Sequence, residues 1–191
     1  MDLWNPRNQT DTDFGLAPDE SFEPDDSLDD VDTTQPHIRT ILGPILSEEL
    51  GITLVLEAIP SSWQDLEDYV FFGGRSLVMP VGDPEAIVSP RRIAQYLPLN
   101  IVDRATLTDE VIAIPVTDAN GEAAAREIVT RARTDDLDRL LPVIGEGTSI
   151  AWVLNFFTLM LMDAGAEASL VRTVLIDTPA RLLTIMPTDS E

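Results

Sequence analysis

The stretch Ile150-Ala-Trp-Val-Leu-Asn-Phe-Phe-Thr-Leu-Met-Leu-Met162 constrains this chain more than any other. At helical spacing, Trp152, Phe156, Leu159 and Met160 define one stripe, and Val153, Phe157 and Leu161 cover a second face. Only Asn155 and Thr158 interrupt it. A helix that is apolar on nearly every side has to be buried on nearly every side. The run is well short of the roughly 20 residues needed to span a bilayer. Protein must therefore cover it, either within its own domain or across a subunit interface. Large aromatics dominate buried interfaces, so Trp152, Phe156, Phe157 and Met160 are candidate partner-binding residues.

The rest of the body, from His37 onward, alternates short β-branched apolar runs with helical patterns. Residues 38–42 and 52–59 read as two strands around a short turn, marked by Gly43-Pro44 and Gly51. Ser61-Ser62 caps a helix over 63–71, with Glu67 and Asp68 on its wet face. Gly73-Gly74, Pro80, Gly82 and Pro84 make 72–88 a loop, and Ser89-Pro90 opens a helix over 90–97. A strand is expected over 111–116, an amphipathic helix over 120–133 and a short apolar run at 140–144. Thr148 or Ser149 caps the apolar helix, which Gly165 ends. Two further helices are expected over 167–176 and 179–185. The fold class is mixed α/β.

Composition narrows the chemistry. The chain has 191 residues, enough for one domain with a real core, and a formal net charge of −22. That charge argues against a nucleic-acid partner, whose phosphates would be repelled. All the basic residues are arginine; there is no lysine or cysteine, and His37 is the single histidine. Thiol nucleophiles, zinc–thiolate sites, lysine Schiff bases and a P-loop lysine are thereby excluded from this chain. No cofactor is expected. No signal-like or membrane-spanning segment is evident, so a soluble, cytoplasmic protein without a membrane partner is expected.

Residues 1–36 stand apart, with eleven acids against Arg7 alone. Such a segment buries too little apolar surface to offset its chain entropy, so disorder is expected there. The domain division is thus an acidic tail, 1–36, and a body, 37–191. Within the tail, Trp4 and Phe14 are candidate anchors for a partner.

Two stretches resemble a known family. Residues 38–54, IRTILGPILSEELGITL, resemble the amino-terminal hairpin and first barrel strand of phosphotriesterase-like proteins of the amidohydrolase superfamily. Residues 163–184, DAGAEASLVRTVLIDTPARLLT, resemble that family's last helix and its closing Asn-Pro-Ala-Arg-Leu-Leu, with Thr178 in place of the asparagine. The resemblance implies a (β/α)-barrel, here a partial or rearranged one with an N-terminal β-hairpin and a helical C-terminal end. A whole eight-stranded barrel typically needs about 250 residues.

The departures from the family decide the functional expectation. Its first strand ends in His-Glu-His, both histidines binding metal; here Leu56-Glu57-Ala58 stands at that place as a vestigial motif. The family's bridging lysine has no counterpart, and Pro142-Val-Ile-Gly-Glu-Gly147 holds no aspartate where its last ligand belongs. A lone Glu57 without metal or paired base has little to do. Gly145-Glu-Gly147 reads as a helix-entry turn, because Glu146 would repel a pyrophosphate. No catalytic or metal-binding residues are assigned. The expectation is a non-catalytic phosphotriesterase-like subunit in a hetero- or homo-oligomer, its protein partner a full-length, metal-bearing hydrolase of the family, which commonly pairs barrels. Two alternatives stand beside it: an acidic-tail adaptor, and a relict esterase or lactonase using Glu57.

Overall fold

A computed structural model describes residues 35–82, 88–108, 110–134 and 136–187. The tail anchors Trp4 and Phe14 lie outside the described residues. The chain opens with an antiparallel hairpin, β1 (His37–Thr40) and β2 (Gly43–Leu46). Five strands then form a parallel sheet: β3 (Thr53–Leu56), β4 (Ser76–Met79), β5 (Asn100–Asp103), β6 (Ile112–Val116) and β7 (Leu140–Ile144). Their spatial order is β5-β4-β3-β7-β6. The connections carry α1 (Trp63–Phe71), α2 (Pro90–Tyr96) and α3 (Gly121–Arg131). Two C-terminal helices follow, α4 (150–163) and α5 (168–183). Among the described residues no helix is long and apolar enough to cross a membrane. The mixed α/β class, the N-terminal hairpin and the helical C-terminal end are as the sequence led one to expect.

Strand alternation sorts the core into two layers. Leu54, Leu56, Leu77, Met79, Ile101 and Ile144 pack on one face, against buried residues of all five helices. Val55, Val78, Val102, Leu141 and Val143 point to the other face, where Ile38 and Leu50 of the N-terminal segment and Leu183 of α5 cover them. Burial on both faces is why these strands read as continuous apolar runs rather than as alternations. Helices α1 to α4 and the first half of α5 pack on one face and only the C-terminal end of α5 reaches the other, which distinguishes the sheet from a doubly wound one with whole helices on both faces.

Several outward backbone groups at both edges of this open sheet are paired within the chain. Asn100 N–H bonds the Arg75 carbonyl just before β4, so Ile101 and Asp103 turn their backbone groups outward. The Ile101 carbonyl accepts from Ile41 N–H at 2.9 Å, and that of Asp103 from the Thr106 hydroxyl at 2.7 Å. On the opposite edge, Gly145 N–H bonds the Val116 carbonyl, so Pro115 faces outward. Proline has no N–H to offer there, and its carbonyl accepts from Asn120 Nδ2 at 3.1 Å. Unpaired edge groups are the usual template for strand addition. Here the outward carbonyls of Ile101, Asp103 and Pro115 are already spoken for.

Three local expectations are corrected, and one unassigned strand is added. The segment read as two strands around one turn contains three, because the chain doubles back at Ile41-Leu42 and Gly43–Leu46 pairs with β1. The expected loop over 72–88 contains β4, a fully buried strand of four residues between Gly74 and Pro80. Gly74 is needed there: a Cβ would overlap the ring of buried Tyr69, whose hydroxyl bonds the Ile52 and Ser76 carbonyls. β5 is likewise a strand that its own four residues did not announce. The two expected C-terminal helices are one, α5, with a π turn at Thr173–Asp177. Thr178 N–H reaches back to the Thr173 carbonyl, and this wider turn accommodates Pro179, which has no N–H to donate and whose ring would crowd a regular helix.

Candidate functional site

At the C-terminal ends of β3 and β7 two loops face each other across a cleft of about 430 Å³. One loop, with Ile59, Pro60 and Ser61, leads into α1; the other, with Gly145, Glu146 and Thr148, leads into α4. Leu56, Ile144 and Ile150 form apolar lining that continues into the helix-side core. Loops following parallel strands are where barrel folds place their sites.

Capping builds the walls. The Ser62 hydroxyl accepts from Asp65 N–H at 3.3 Å and starts α1; the Ser149 hydroxyl accepts from Trp152 N–H at 3.1 Å and starts α4. Asp65 then reaches across. Its carboxylate accepts from Ile150 N–H at 2.8 Å, from Ala151 N–H at 3.2 Å and from the Ser149 hydroxyl. A helix N-terminus opening from a strand is the usual seat of a phosphate. In this chain a side chain of α1 already holds that seat on α4. Sequence reasoning placed Glu67 and Asp68 on the wet face of α1 and passed over Asp65. The Ser62-x-x-Asp65 spacing signalled a cap, but the reach to a helix 84 positions away belongs to the tertiary structure.

The vestigial motif does not gather at one point. Leu56 lies in the core beneath the helices and Ala58 lines the cleft. Glu57 follows in the alternation on the other face, with its carboxylate beside Gly145. His37 belongs to the hairpin, with its ring nitrogen Nδ1 3.0 Å from the Gln35 carbonyl oxygen and its backbone bridged to Ile185. Among the described residues no three histidine, aspartate or glutamate side chains gather as a metal-ligand group. Gly145-Glu-Gly147 forms the turn into α4, with Thr148 N–H bonded to the Gly145 carbonyl at 3.2 Å.

The apolar helix divides its candidate residues. Α4 contains a π turn at Val153–Phe157, between α-helical Ile150–Trp152 and Thr158–Asp163. Val153, Phe157 and Leu161 are buried in the chain's own core. Phe157 is therefore corrected as a partner-binding candidate: it already packs inside, stacked on Trp152 at 6.3 Å. Trp152 and Met160 are half-buried and close against Gly121 at the start of α3. Phe156, Leu159 and Met162 remain open to solvent, at 55%, 55% and 52% exposure.

The sequence matches no protein-family model and no curated protein. Solved structures do resemble the fold. An amidohydrolase from Mycoplasma synoviae superposes with a TM-score of 0.64 at 10% identity, over 82% of this chain and 94% of that one. A point mutant of organophosphorus hydrolase from Deinococcus radiodurans superposes with a TM-score of 0.50 at 12% identity, over 78% of this chain and 98% of that one. At such identities the likeness is one of fold: this chain is built like an amidohydrolase or organophosphorus hydrolase, as the resemblance of its two ends implied.

Proposed function

We propose that this chain is a non-catalytic relative of phosphotriesterase-type hydrolases and works as a structural or regulatory subunit beside a complete, metal-bearing hydrolase of that fold. The open stripe Phe156, Leu159 and Met162 on a helix whose opposite face is core carries this reading. Three large apolar side chains one turn apart are what a partner covers. The pairing of the outward Ile101, Asp103 and Pro115 carbonyls limits strand addition at the sheet edges. A charge of −22 on each copy opposes self-pairing and favours a different chain as partner. The strand order β5-β4-β3-β7-β6 fits a barrel with consecutive central strands left out.

Chemistry supports the same reading. A carboxylate–histidine metal centre cannot be assembled from one hairpin histidine, and this chain has no lysine to bridge two metals. Affinity purification of the tagged chain from its source cells tests the proposal. The expected result is co-purification of a metal-dependent hydrolase of this fold, lost in Phe156→Asp while circular dichroism stays unchanged. A monodisperse monomer with no co-purifying hydrolase would overturn it.

The hydrolase folds of the structural neighbours favour a second reading, a relict hydrolase acting through Glu57. It requires ester or lactone turnover by the isolated chain that Glu57→Gln abolishes.

A further inference from the structure

The cleft between the α1 and α4 loops has a chemistry of its own, separate from the exposed stripe of α4. Among the described residues its charged lining is Asp65 and Glu146, both acids, with no arginine. Asp65 is spent on the α4 N-terminus, which removes the positive pole that would otherwise draw a phosphate or carboxylate. Glu146 is exposed at the rim, on the turn between β7 and α4. Below it the lining turns apolar, through Leu56, Ile59, Ile144 and Ile150, with the hydroxyls of Ser61 and Thr148 between. A volume of about 430 Å³ falls in the range of small-molecule sites.

We propose that this cleft binds a small organic cation: an ammonium group carried on a short apolar body. The body displaces water from the isoleucine lining, and the ammonium lies at the rim against Glu146, with serine and threonine oxygens as further acceptors. The ligand charge is selected twice. Glu146 attracts a cation, and the position where a strand-to-helix turn would favour an anion is filled by the protein's own carboxylate. The strongly negative chain also raises the local concentration of cations.

Amide chemical shifts of Gly145 and Gly147 report on the site directly, and benzylammonium, benzyl alcohol and benzoate serve as probes of matched shape. Benzylammonium is expected to shift both resonances saturably. Glu146→Gln should weaken it by about fivefold, the upper end for an exposed charge pair. Glu167→Gln, an exposed acid beyond the far end of α4, should leave the affinity unchanged, and benzoate should produce no shift. Three results would each overturn the proposal: no saturable shift with benzylammonium, equal affinity for benzyl alcohol, or an equal loss in Glu167→Gln. The last of these would reduce the effect to the diffuse field of the chain. Glu146 is exposed, so its substitution tests binding without threatening the fold. The outcome does not depend on whether α4 docks a partner.

Discussion

Asp65→Ala removes at one stroke the acceptor for Ile150 N–H, Ala151 N–H and the Ser149 hydroxyl. Hydrogen bonds to a charged group are worth about 1.5–3 kcal/mol each when isolated from water. Ser149 is exposed and its hydroxyl can turn to solvent, so its bond adds little. Ile150 is buried, and its amide has no such alternative. The favourable meeting of a carboxylate with the α4 N-terminus adds about 0.3–1 kcal/mol. A total loss of about 2–4 kcal/mol follows, discounted for the partial exposure of the site. For a body of this size that is a fall of roughly 4–16 °C in Tm, at about 2–4 °C per kcal/mol. Urea unfolding followed by circular dichroism measures it, and Glu67→Ala on the exposed face of the same helix is the control, expected within about 0.5 kcal/mol. Asp65→Asn, which keeps one carbonyl oxygen but loses the charge, should fall between the two. If Asp65→Ala costs no more than Glu67→Ala, the bridge between α1 and α4 contributes nothing, and the account of this cleft fails with it.

Three further outcomes follow from the packing. Phe157→Ala should destabilise the isolated chain by about 3–5 kcal/mol, because it empties a fully buried ring site, whereas Phe156→Ala should stay within about 0.5 kcal/mol; equal effects in urea unfolding would mean that the helix is rotated from the face described. Gly74→Ala should cost about 1–3 kcal/mol through overlap with the Tyr69 ring, with a compensating Tyr69→Leu expected to recover part of the loss in a double-mutant cycle. Asn120→Ala releases the Pro115 carbonyl at the β6 edge and the Thr117 amide, so static light scattering should detect concentration-dependent association that the parent chain lacks; unchanged scattering would show that Pro115 alone guards that edge.

Much of this fold was legible because much of it is written in local signals. Ser62, Ser89 and Ser149 cap α1, α2 and α4 where expected, since a cap is an exchange between a side chain and amides two or three residues away. The helix over 63–71 has the expected bounds, and the apolar run at 140–144 is the fully buried β7. β4 and β5 escaped notice for the opposite reason. Four residues between turn-forming neighbours carry no period of their own, and what makes them strands is a ladder to β3 and to each other. The C-terminal helix was split at Pro179 because proline ordinarily ends a helix; the π turn that keeps it whole is a matter of backbone packing.

What the sequence determined by itself is chemical and subtractive. Without lysine or cysteine and with a single histidine, this chain offers no thiolate, no amine and only one imidazole to any site, however it packs. It also made residues 150–162 the strongest candidate for burial, because hydrophobicity is a property of the residues alone. Which side of that helix the protein would cover for itself was left to the tertiary structure. A π turn shifts the register partway along, α3 and α5 arrive from distant parts of the chain, and Phe157 goes inside while Phe156 stays out. The same is true of Asp65. Its identity is local, but the helix it stabilises lies more than eighty residues on, and only the parallel pairing of β3 with β7 brings the two together.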